Sequence, residues 1–316
     1  MGACSRTTPP EDPPTGAVEP EPALPVAPAP ADTRPADGVT PPEPTPEPRA
    51  ESFEAALAAI DPDEFEALGQ AADAFVDFHS GDAVDEVTRK AGIDALVAFT
   101  EPAIEGIYRR MSDSEPLNLA VCVMTDDCKA EQHTAESKAI AKVLKSSGVT
   151  FVYGGEGMFD AVPDYDVIAK RIASALSPAA TAYFAALDFQ ITVVDSSYDE
   201  DGFGGDPTDV ADALRRWESL RDMGEPYAAV AESRAEQAFG QYLSMCDSNG
   251  WEQPYCTVSP KMRKSYAGFD TTNPGSKYGP AVAKFFAIMK RHKFRANEKK
   301  LTRAIETAER ELPKSP

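Results

Sequence analysis

The chain has 316 residues, and its 52 Asp and Glu against 31 Lys and Arg leave a net charge of −21. That acidity argues against a nucleic-acid partner, and no apolar run approaches the ~18 residues that a membrane-spanning helix needs. Any membrane attachment therefore has to come through something other than a spanning helix.

Residues 1–50 hold 15 of the 28 prolines, mixed with Glu, Asp, Thr and Ala. Such a segment has too little apolar surface to offset ordering entropy, so it is expected to be a disordered tether. Repeats such as Pro41-Pro42-Glu43-Pro44 favour polyproline II, which at ~3.1 Å per residue gives a reach of roughly 140 Å. The segment starts Met1-Gly2-Ala3-Cys4-Ser5. Small residues before a cysteine and a polar tether after it resemble the end of a bacterial lipoprotein signal, with Met1 where leucine is usual. The resemblance implies that Cys4 carries a diacylglyceryl thioether and an acylated amine. It also implies an outer-membrane location, because Ser5 stands where Asp would often signal retention at the inner membrane. A rival reading, myristoylation at Gly2 with palmitoylation at Cys4, wants Ser or Thr where Arg6 stands.

Residues 51–316 suffice for one large domain or two packed ones, with a sub-boundary near 195–206. Helical rhythm dominates. Asp61-Pro62-Asp63-Glu64, Thr100-Glu101-Pro102 and Asp206-Pro207-Thr208-Asp209 each read as a helix start: a capping side chain, a proline in the first turn and acids nearby. Further helices are predicted over 131–145, 165–176, 178–187, 227–245, 279–292 and 297–312. Only 117–123, 149–153 and 189–194 have the alternation or β-branched content of strands. The expected fold is mostly α, an irregular array of helical hairpins with a few short strands behind the tether.

Four cysteines fall in this body, as two local pairs: Cys122 with Cys128, and Cys246 with Cys256. In an oxidising compartment they read as two disulfides closing short loops, with reduced core thiols the other reading. Zinc would want Cys-x2-Cys spacing or more than the three histidines present. Between residues 195 and 209 acids crowd a Gly-rich segment, and Ser197-x-Asp199-x-Asp201-Gly202 has the spacing of a calcium loop. Ser197 in the first ligand position and Thr208 in the twelfth depart from that motif, and a solvated acidic loop is the other reading. No other cofactor is implied.

Two helix-loop-helix stretches echo each other, one around Trp217 and Phe239, the other around Phe269 and Phe285. Phe269-x4-Pro274-x-Ser276-x-Tyr278 resembles the inter-helix loop of tetratricopeptide-type arrays, which would imply a groove for a protein partner. Ordinary hairpins sharing Pro and Ser caps are the alternative.

From Lys261 to Arg303 there are 12 Lys or Arg against Asp270 and Glu298, a local balance of +10 that leaves −31 for the rest. Lys290, Arg291, Lys293, Arg295, Lys299 and Lys300 form its centre. Such a face suits anionic lipid headgroups, cell-wall polymers or an acidic protein, or else it neutralises the chain's own acidic helices. Two function classes follow. One is a non-enzymatic, lipid-anchored binding or scaffold module with a membrane, protein or cell-wall partner. The other is an anchored or secreted enzyme, such as a cell-wall hydrolase, with a carboxylate pair among the acids.

Overall fold

The computed structural model describes residues 52–313 except 82, 112–113, 128, 130–131, 156–157, 200–201 and 246–254. The expectations for Cys4, the Pro-rich segment, Cys128, Cys246 and Asp201 lie outside the described residues.

Most helices begin where a short oxygen-bearing side chain precedes an apolar stripe. Ser52 caps α1 (Phe53–Ala59), and Ser114 caps α4 (Glu115–Thr125). Thr134 caps α5 (Ala135–Ser147), Asp164 caps α6 (Tyr165–Arg171) and Ser177 caps α7 (Pro178–Phe189). Asp206 caps α8 (Pro207–Asp222), as its sequence signal predicts; Ser259 does the same for α10 (Pro260–Thr272) and Asn297 for α12 (Glu298–Glu309). Proline opens α7, α8 and α10, where the absent N–H would have had no helical partner.

Two predicted starts fall elsewhere. Asp61 caps only a turn, accepting the Asp63 N–H at 3.0 Å, and α2 (Ala67–His79) begins at Ala67 with no side-chain cap. Thr100-Glu101-Pro102 lies inside α3 (Glu86–Met111), where the Thr100 hydroxyl donates back to the Val97 carbonyl at 2.7 Å. The lost proline N–H is tolerated because Ile93, Leu96, Ala103 and Ile107 form one buried stripe on both sides of it.

Two predicted strands are helical. Residues 117–123 belong to α4, with Leu117, Ala120 and Val121 buried at helical spacing. Residues 189–194 finish α7 and widen into a π turn over Gln190–Val194, in which the Thr192 hydroxyl donates to the Asp188 carbonyl at 2.7 Å. The third does form. It is β1 (Val149–Gly155), antiparallel to β2 (Met158–Pro163), in register from Val149 opposite Pro163 to Tyr153 opposite Phe159. Gly148 joins α5 to β1 at φ +88°, and a Cβ there would stand 2.5 Å from Ile168 Cγ1, so both backbone and space require glycine. Two shorter antiparallel pairs follow, β3 (Tyr198–Asp199) with β4 (Gly202–Phe203), and β5 (Tyr255–Thr257) with β6 (Arg295–Asn297).

One apolar cluster extends from Phe53 to Ala308, and residues on both sides of 195–206 belong to it. Residues 49–316 form a single compact unit. Within it α8 pairs with α9 (Ala228–Ser244), and α10 with α11 (Gly279–Arg291). Trp217, Ala231, Ala235 and Phe239 are buried in the first hairpin, and Tyr266, Phe269, Phe285 and Met289 in the second. The hairpins meet through the Phe239 and Tyr278 rings, 4.6 Å apart, and through the Tyr266 hydroxyl, which donates to Tyr242 O at 2.7 Å. A polar tie crosses the same boundary. Buried Glu218 accepts the Lys277 N–H at 3.0 Å, while the Lys277 ammonium and Arg221 hold Glu232.

Burial alone would push the Glu232 carboxyl up, but Lys277 and Arg221 outweigh it and keep the group below its usual value. A depressed carboxylate contributes stability above its unfolded value, about 4.5, and that contribution is lost as pH falls through the folded one. Thermal midpoints recorded on acidification should therefore fall less steeply for Lys277→Met than for the native chain. Parallel curves would show that the tie adds no stability.

Candidate functional site

The six cations singled out in the sequence lie on a short stretch running from the end of α11 to the start of α12. Lys290 and Arg291 occupy the last turn of α11, where positive charge complements the helix dipole. The chain then reverses through Lys293 and Phe294, at φ +54° and +59°, a conformation that side-chain-bearing residues seldom adopt. Packing and backbone bonds hold it. The Phe294 N–H reaches Met289 O at 2.8 Å, its carbonyl accepts the Val258 N–H at 3.0 Å, and its ring lies 5.6 Å from that of Phe286. The Arg263 guanidinium covers the Phe294 ring at 4.3 Å. Phe294 is thus the peg of the turn, and the cations around it point outward: Lys290, Arg291, Lys293, Arg295, Lys299 and Lys300 are all exposed.

Strand β6 carries Arg295 and pairs with β5, setting Cys256 opposite the buried Ala296. Cys256 is disulfide-bonded, and Cys246, its expected partner, lies outside the described residues. Cys122 sits half-buried on α4, away from this face in sequence, and its expected partner Cys128 is also outside them. Lys299 and Lys300 stand in the first turn of α12, the end of a helix where positive charge is unfavourable. Helix stability does not explain their placement.

Pairing divides the basic region in two. Lys261 pairs with Asp206 at 3.1 Å, Lys284 with Glu311 at 2.9 Å, and Lys277 with Glu232. Neutralisation of the chain's own acids accounts for those three. Among the described residues Lys290, Arg291, Lys293, Lys299 and Lys300 enter no ion pair, so the turn presents uncompensated charge to whatever faces it.

Of the calcium candidates, only Ser197 has a described side chain. The Ser197 hydroxyl turns back to donate to Val193 O at 2.6 Å, Asp199 lies in the β3–β4 hairpin, and Asp201 is outside the described residues. Among the described residues no group of three or more His, Cys, Asp or Glu could hold a metal ion.

A cluster that no sequence pattern marks lies where α3, α7 and α9 meet. Glu86 accepts the Ser177 hydroxyl at 2.6 Å and the Tyr227 hydroxyl at 3.1 Å, and pairs with Arg89 at 2.7 Å. Burial opposes its charge, but these partners hold its carboxyl below the usual range. Beside it the buried Lys90 pairs with Asp94 at 2.5 Å and lies 5.4 and 5.6 Å from the Tyr183 and Tyr227 ring centroids. The Ser177 hydroxyl both donates to Glu86 and accepts the Ala180 N–H at 3.1 Å. Both of its roles are spent on holding α7, which suits a structural joint rather than a nucleophile. No local motif announces these partners, since Glu86 and Tyr227 come together only through the packing of distant helices.

In comparisons with known proteins, the chain matches no family model, no curated protein and no solved structure.

Proposed function

We propose that this chain is a lipid-anchored extracytoplasmic module of a bacterial outer membrane, a binding or scaffold domain held through Cys4 and oriented by its basic face against anionic headgroups. The observation that carries the reading is the set of five unpaired cations at the α11–α12 turn, in a chain whose net charge is −21. An anionic surface attracts this turn and repels most of the rest of the molecule, so charge alone selects one docking face. A binding role also fits the buried Glu218 and the half-buried Glu86 and Glu232, each engaged in holding helices together.

The anchor is tested by expressing the gene in a bacterium with the codons that precede Met1. The native protein is expected in the membrane fraction and Cys4→Ser in the soluble periplasmic fraction. Equal partition of the two forms would sink the anchoring.

A further inference from the structure

Arg216, on α8, stands apart from the other charged groups of the interior. Its guanidinium lies over the Phe189 ring at 4.2 Å, and its Nε is buried with no hydrogen-bond partner. Among the described residues it makes no ion pair or hydrogen bond. Leaving a buried donor of a charged group unsatisfied is costly, and an arginine fork is shaped to take a carboxylate by two parallel bonds. Among the described residues no carboxylate is supplied to Arg216.

What lies in front of Arg216 is a cavity of about 370 Å³, at the small end of the range for ligand sites. Tyr165, Leu176 and Phe189 give it apolar walls. Its other charged residues are Asp166, Lys170 and Asp188. Lys170 and Asp166 compensate each other at 2.5 Å. Asp188 accepts the Asp166 N–H at 3.2 Å through one oxygen. Burial and the neighbouring Asp164 and Asp166 push its carboxyl up, and among the described residues no cation contacts it as an ion pair, Lys170 being engaged by Asp166. Immediately after Phe189 the helix widens into the π turn over Gln190–Val194, a distortion often found at functional sites.

Among the described residues the cavity therefore has one cation and one anion that form no ion pair, Arg216 and Asp188, with apolar walls between α6, α7 and α8. A ligand of the same pattern satisfies both. We infer that the cavity lined by Arg216, Asp188 and Phe189 binds a small zwitterion of amino-acid type with an apolar side chain. Its carboxylate lies on the Arg216 fork, its ammonium at Asp188, and its side chain against the Tyr165, Leu176 and Phe189 walls. This site is independent of the basic face and of the lipid anchor.

Calorimetric titration of the 316-residue chain with L-phenylalanine, N-acetyl-L-phenylalanine and phenethylamine tests the proposal, because the second ligand lacks the ammonium and the third the carboxylate. Saturable binding of phenylalanine, weakened at least tenfold for each of the other two, is the expected result. Arg216→Lys, which keeps the charge and loses the fork, and Asp188→Asn should each weaken phenylalanine binding by about tenfold with unchanged circular dichroism. Two results would overturn the inference: no binding of phenylalanine, leucine or methionine at about 10 mM, well above ordinary binding constants, or equal binding of all three probes by the native chain. The second comparison uses the native protein alone and stands even where a variant fails to fold.

Discussion

Trp217→Ala is expected to lower unfolding free energy by about 3–5 kcal/mol, the range for removing a buried large aromatic side chain. Trp217 is fully buried at the centre of α8, its ring 6.1 Å from that of Tyr183. Its Nε1–H points to Gln190 Oε1 at 3.5 Å, at the limit of a hydrogen bond. Gln190 is better held by Asp195, to which its amide donates at 2.7 Å. Lost packing should therefore outweigh the lost polar contact, and Trp217→Phe, which restores most of the volume, should recover more than half of the loss. For a domain of about 5–15 kcal/mol the alanine variant would be close to unfolding at physiological temperature. Urea unfolding midpoints for the three forms check this. An alanine variant within about 1 kcal/mol of the native chain would show that the cluster linking α7, α8 and α9 is not the stabilising centre.

The elements that were legible are those decided locally. Asp206 and Pro207 start α8 because a cap and a first-turn proline need only their neighbours. Thr100 and Pro102 carry the same symbols, yet they lie within α3, since buried residues on both sides of Pro102 hold the helix through it. The 117–123 and 189–194 runs fail as strands for the same reason: short apolar runs suit either period, and packing chose helix. Function divides in the same way. The six cations of the basic turn were visible because they are near neighbours in sequence. Which lysines would find acids was not, because Lys284 meets Glu311 and Lys261 meets Asp206 only after folding. The Arg216 cavity left no trace at all, being made by side chains of three helices and of the connection between α6 and α7, with no motif in any of them.

Reversing the basic face should produce the largest change in binding. Each Lys or Arg close to an anionic bilayer contributes about 1 kcal/mol, so six supply roughly 6 kcal/mol, a dissociation constant on the order of 0.05 mM. That is weak for a free protein. For one tethered to the same surface it is ample, because a flexible link gives an effective concentration of about 1 mM and keeps the face engaged most of the time. Lys293→Glu, Lys299→Glu and Lys300→Glu together remove three attractions and add three repulsions. The expected loss of affinity is roughly 100-fold or more, with no change in fold, since these side chains are exposed and unpaired. Salt should weaken the native interaction in the same direction, as the Debye length shortens to about 10 Å at 0.1 M.

Vesicle co-sedimentation of the Cys4→Ser chain, which removes the anchor and leaves the face, measures this directly. At low salt it should pellet with vesicles rich in anionic lipid and not with zwitterionic ones, and the triple reversal should abolish the difference. Equal pelleting with both vesicle types, or a triple variant that binds like its parent, would contradict docking through the α11–α12 turn.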